Sequence, residues 1–109
     1  MGKIFAISSS GKTEKSFLDL RFGKCENVVL YDQSTGSYSI IENQFKNTDH
    51  SGEQLVQFLK KKGVSVVITG EVGPRASSAL QKEMLQLVLL HEEKIKVEEV
   101  IDRIKSKQA

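Results

Sequence analysis

Three short stretches of the chain are apolar with almost no polar alternation. They are Ile4-Phe5-Ala6-Ile7, the mainly β-branched run Val64-Ser65-Val66-Val67-Ile68, and Gln86-Leu87-Val88-Leu89-Leu90. Unbroken runs of this length suit strands buried on both faces, as in a parallel sheet. Val28-Val29-Leu30-Tyr31 and Tyr38-Ser39-Ile40-Ile41 are also strand-like. The turn formers of Asp32 to Ser37 lie between them, which predicts a hairpin.

Helices are predicted at three places. Ser51-Gly52-Glu53-Gln54 has the spacing of a capping box, with Ser51 at the N-cap. The helix it starts runs through Leu55, Val56, Phe58 and Leu59 and stops at Gly63. Pro74 suits a first helical position, where a missing N–H is no loss, and Ala76, Ala79, Leu80 and Glu83 continue that element. Val97, Val100, Ile101 and Ile104 follow the 0, 3, 4, 7 rule of an amphipathic helix. Residues 13–25 hold scattered apolar groups at neither period and predict an irregular crossover.

The order is strand, crossover, hairpin, helix, strand, helix, strand, helix. It implies a single three-layer α/β/α domain with a mixed sheet over residues 1–109. Right-handed crossovers would set the carboxyl ends of the three apolar strands along one rim. Ser8 to Lys12, Gly70 to Arg75 and Leu90 to Glu92 are expected there, with the Pro74 helix start facing it. Ligands of open α/β sheets gather at such rims, and helix N-termini attract anions.

Composition narrows the function classes. With 16 basic and 14 acidic residues, the formal charge of +2 gives no footprint for nucleic acid. No apolar stretch approaches the ~20 residues that span a bilayer. The single cysteine permits no internal disulfide and fits a reducing compartment, so a cytoplasmic protein is expected.

Three motifs then stand in a particular order: Ile7-Ser8-Ser9-Ser10-Gly11, Asp19-Leu20-Arg21-Phe22-Gly23-Lys24-Cys25, and Val67-Ile68-Thr69-Gly70-Glu71-Val72-Gly73-Pro74-Arg75-Ala76. Together they resemble the nitrogenase iron–molybdenum cofactor biosynthesis accessory family, the dinitrogenase cofactor-binding domain, over essentially the whole chain. The resemblance implies a ribonuclease-H-like fold of five strands, the second antiparallel to the rest. It also implies a non-catalytic carrier of an iron–sulfur or iron–molybdenum cluster precursor, working with cofactor-assembly proteins. The chain departs from the family pattern in three places. Leu20 replaces a proline, His91-Glu92-Glu93-Lys94 replaces a glycine-rich segment, and one glycine, Gly52, stands for a pair.

Candidate chemistry is sparse. Cys25 could supply a thiolate to iron or zinc, and His50 or His91 a second ligand, with His50 preferred. There is no Cys-x-x-Cys or His-x-x-x-His pattern, so a closed four-ligand site is not expected. Ser9, Ser10, Gly70 and Gly73 are candidate backbone or hydroxyl donors, and Arg21 and Arg75 candidate anion partners. For Arg21 an ion pair with Asp19 is the competing role. The alternative function is a small-anion or nucleotide-binding module, or an interaction domain without the cluster. Ala6 to Thr13 matches a relaxed phosphate loop, but no helical period follows Lys12 to aim its amides. No Ser-His-Asp set or carboxylate pair can be argued from the spacing, so no enzyme is expected.

Overall fold

The computed structural model describes residues 2–92 and 94–106. Met1, Glu93 and residues 107–109 therefore lie outside the description. Five strands, β1 (Ile4–Ser9), β2 (Asn27–Asp32), β3 (Ser37–Glu42), β4 (Val66–Thr69) and β5 (Gln86–Leu89), form one sheet in the order β3-β2-β1-β4-β5. β2 pairs antiparallel with both β1 and β3, while β1, β4 and β5 are parallel. The three helices are α1 (Ser51–Lys61), α2 (Pro74–Lys82) and α3 (Val97–Ser106).

Alternation along the central strands divides the core into two layers. Ala6, Val28 and Val67 point to one face, where Leu55, Val56 and Leu59 of α1 and Ala76 and Leu80 of α2 cover them. Their neighbours Ile7, Val29, Val66 and Ile68 point to the other face and meet Val97, Val100, Ile101 and Ile104 of α3. Strands with no polar face are required by such a sandwich, which is why β1 and β4 read as continuous apolar runs. The three-layer α/β/α architecture with one antiparallel strand is as the sequence implied.

Two details differ. β5 is an edge strand, with Gln86 and Leu89 exposed, rather than a third strand buried on both faces. A short apolar run does not distinguish a covered strand from an edge. At α1, the N-cap is His50 and Ser51 is already the first helical residue. Gln54 does not reach back to close a capping box. Its backbone N–H donates to His50 O, and its side-chain oxygen accepts from the Thr48 hydroxyl. Gly63 ends α1 as expected, in the left-handed region at φ 81°. Met84, at φ 61°, turns the chain from α2 into β5.

Residues 13–25, predicted as an irregular crossover, hold no helix or strand and are pinned by short bridges from Ser9 to Leu18 and from Arg21 to Glu71. Among the described residues no helix is long and apolar enough to cross a membrane.

Candidate functional site

The crossover and the two helices on its side of the sheet enclose an open cavity of about 550 Å³. One part of its wall is the Arg21-Phe22-Gly23-Lys24 segment. The rest is the start of α1 (Asp49 to Glu53) and the start of α2 (Glu71 to Ala76).

The two helix ends are the main polar feature. Neither α1 nor α2 carries a side-chain N-cap, so their first-turn amides lack the usual acceptor. α3 differs. The Val97 and Glu98 N–H groups donate to the carbonyls of Ser16 and Glu14, at 2.9 and 2.8 Å. Loop 14–16 thus satisfies that helix end, while the other two are left facing the cavity. At Gly73, the N-cap of α2, an added Cβ would meet nothing within 4 Å. The backbone there borders open space.

Arg21 and Arg75 both line the cavity but are held differently. Asp19, only 6% exposed, accepts from the Arg21 backbone N–H at 3.0 Å and from its Nε and Nη2 at 3.3 Å each. Those hydrogen bonds, and then the carboxylate charge, raise the Arg21 pKa above its ordinary value. Arg75 is looser. Its Nη1 donates to His50 Nδ1 and lies 3.8 Å from Glu53 Oε1. A guanidinium cannot accept, so Nδ1 is the acceptor in that contact.

The structure thus brings Arg21, His50, Gly73 and Arg75 together. Ser9, Ser10, Gly70 and Cys25 do not line the cavity. The loop after β1 folds back on itself instead of joining the rim. Ser9 Oγ donates to Gly11 O at 3.0 Å, and Ser10 donates to Phe17 O from both its N–H and its hydroxyl, at 3.0 and 3.1 Å. Gly70 is buried against Leu20, whose Cα stands 2.6 Å from where a Cβ would be. Its lack of a side chain serves close packing of the crossover on β4. Leu90 to Glu92 are likewise not part of the wall.

Cys25 is fully buried, with Asn43 Nδ2 3.7 Å from its sulfur. Burial first, and the Asp19 charge second, push the thiol pKa up to about 12. A neutral thiol under the wall is a poor metal ligand in this conformation. Among the described residues no group of three or more His, Cys, Asp or Glu side chains could hold a metal ion. No helix follows Lys12, so the phosphate-loop geometry is missing.

Sequence reasoning missed Asn43. Its fully buried amide donates to Gly23 O and Cys25 O, both at 3.0 Å, and pins the wall segment between them. A polar residue just after a strand carries no signal of that role.

The family described as dinitrogenase iron-molybdenum cofactor matches residues 1–107. The chain belongs to this family. A search of curated protein sequences finds no significant match. Among solved structures, the apo form of the orange protein from Desulfovibrio gigas superposes with a TM-score of 0.86 at 26% identity, over 99% of this chain and 91% of that one. A NifB-like protein from Thermotoga gives 0.82 at 30% identity, over 95% of this chain and 88% of that one. A dinitrogenase-like protein from Methanocaldococcus jannaschii, at 13% identity and 0.65 over 99% and 92%, shares the fold. Arg21-Phe22-Gly23 builds one part of the cavity wall and the segment from Glu71 to Ala76 another.

Proposed function

We propose that the protein is a non-catalytic carrier that takes a preassembled, anionic iron–sulfur or iron–molybdenum cluster precursor as cargo in this cavity. The observation that carries the reading is the convergence of two uncapped helix N-termini with Arg21 and Arg75 on one open space. Helix ends of this kind attract anions through free amides and the aligned peptide dipoles.

The donor set decides how the cargo would be held. The side-chain charges of the wall balance: Arg21, Lys24 and Arg75 face Asp49, Glu53 and Glu71. Net charge is therefore not the attraction, and directed N–H groups are. Guanidinium and amide donors suit the sulfides of a cluster that already has its own ligands. They do not suit a bare metal ion, which would need several thiolates, imidazoles or carboxylates converging. Of the metal-ligand candidates Cys25, His50 and His91, His50 is at the wall and would be the one to reach the cargo. A match to the cofactor family over residues 1–107 supports the same reading. The receiving partner would be a cofactor-assembly protein, in keeping with a cytoplasmic carrier.

Anaerobic titration with a synthetic thiolate-capped four-iron cluster tests this, read by visible absorption. Saturable binding is expected. Arg75→Ala should weaken it by about tenfold, the worth of one charge-assisted hydrogen bond, and Cys25→Ser should leave it intact. Binding unaffected by the Arg21→Ala/Arg75→Ala double change would overturn the assignment of the cavity. Loss of binding in a folded Cys25→Ser protein would return the thiolate to the site.

A further inference from the structure

A buried carboxylate is costly unless the fold uses it, and the carrier reading above does not call on Asp19. Its backbone is anchored to both central strands. The Asp19 N–H donates to Ser8 O at 2.9 Å, and its carbonyl accepts from Ser8 Oγ of β1 at 2.6 Å and from Thr69 Oγ1 of β4 at 3.4 Å. From that base the carboxylate takes Nε and Nη2 of Arg21. Nη1 is left without a partner among the described residues, on a side chain that is 60% exposed at the cavity.

We propose that Asp19 is a positioning residue that turns Arg21 from a mobile charge into a fixed, directional donor, so that the cavity selects large anions with several acceptor faces over small oxyanions. The inference rests on the cluster-carrier reading. The paired guanidinium contributes little net field, because the carboxylate cancels it. A small oxyanion responds mainly to field and can follow a moving arginine. A rigid cluster already engaged by the two helix ends needs its next donor at a set point. Two arginines of identical chemistry thus do different work. Arg75 lies on contacts it can exchange for cargo, and Arg21 stands where the sheet puts it.

Asp19→Asn tests this, because the amide oxygen can still accept the Arg21 backbone N–H and the anchors to Ser8 and Thr69 are untouched. Only the charged partner of the guanidinium is lost. Two quantities are measured: the affinity ratio of the synthetic four-iron cluster to inorganic phosphate, and the order of the Arg21 Nε–Hε vector in the ligand-free chain by ¹⁵N relaxation. The ratio should fall on the order of tenfold, the rotamer freedom of one arginine, with phosphate affinity unchanged or tighter. The Nε–Hε vector should become mobile, and Asp19→Glu should restore part of both. An unchanged ratio, an equal loss for both ligands, or an Arg21 as ordered in the variant as in the native chain would overturn the proposal. If Asp19→Asn does not fold, Arg21→Lys keeps the buried charge paired while removing the fork. It should show the same fall in ratio, and an unchanged ratio there is equally decisive against the proposal. Failure of the native chain to bind the cluster would sink the carrier reading and this inference with it. Cluster binding with an unaltered ratio would sink this inference alone.

Discussion

Asn43 and Cys25 show how the wall is held from beneath. Asn43 satisfies two carbonyls of the Gly23–Cys25 segment and accepts the Phe45 N–H at 3.0 Å, so the segment needs no regular structure of its own. Cys25 fills the space below as a small apolar group. Its role was not legible in the sequence, because a lone cysteine in a loop, though more often packing than ligand, can be either until its burial is known. The raised thiol pKa has a consequence for stability. The unfolded thiol loses its proton near pH 9.0, whereas the folded one keeps it until about 12. Between those values the unfolded chain binds fewer protons, so stability falls as pH rises, by up to about 1.4 kcal/mol per pH unit. Denaturant unfolding from pH 8 to 11 should show that decline, and Cys25→Ala should lack this part of it. A Cys25→Ala curve parallel to the native one would mean the thiol is not protected as the burial implies.

The contact that sets the cavity mouth belongs to the helices. Gly52 in the first turn of α1 lies against Ala76 in the first turn of α2, and a Cβ at Gly52 would stand 2.7 Å from the Ala76 Cβ. The missing methyl lets the two helix ends approach and aim their amides at one space. Gly52→Ala should therefore push them apart. It should destabilise the fold by about 1–3 kcal/mol, the usual range for overpacking, and weaken cluster binding as well. Ala76→Gly in the same chain should recover most of the binding, though less of the stability, since a helical glycine costs about 1 kcal/mol relative to alanine. Thermal unfolding and titration of the single and double variants measure both. Additive losses would show that this contact does not govern the mouth. From sequence, the helix itself was visible in Leu55, Val56 and Leu59, and its end in Gly63. Its first residue was misplaced by one, because Ser51 has capping chemistry but is buried at the first helical position while His50 stands at the cap. Which glycine packs, as Gly70 does on Leu20, and which borders open space, as Gly73 does, depends on neighbours far away in the chain. The motif alone could not separate them.

Across the whole molecule, legibility follows the number of covered faces. β1 and β4 are covered on both, so the side chains from Ile4 to Ile7 and from Val66 to Ile68 are apolar without alternation, and the pattern revealed them. β5 is nearly as apolar, yet it has a neighbour on one side only, and its sequence does not record that difference. The rim failed to read for a related reason. Crossover rules place strand ends together, but Ser9 and Ser10 are then claimed by Gly11 and Phe17 of their own loop. The same asymmetry between centre and edge predicts how the molecule opens. Gln86 and Leu90 donate their N–H groups to Ser65 O and Thr69 O, so along β5 the alternating Leu87 and Leu89 amides point away from the sheet. Among the described residues no strand pairs with that edge. Amides of Ile7 on β1 and Val67 on β4 lie between the two apolar layers and should exchange with solvent only when the whole structure unfolds, at a cost of about 5–15 kcal/mol. Leu87 and Leu89 should exchange close to the rate of a free peptide. Hydrogen exchange resolved by residue measures all four under one set of conditions. Strong protection of Leu87 and Leu89 in dilute solution would mean that another chain pairs with β5, and its loss on further dilution would identify that chain as a second copy of this one.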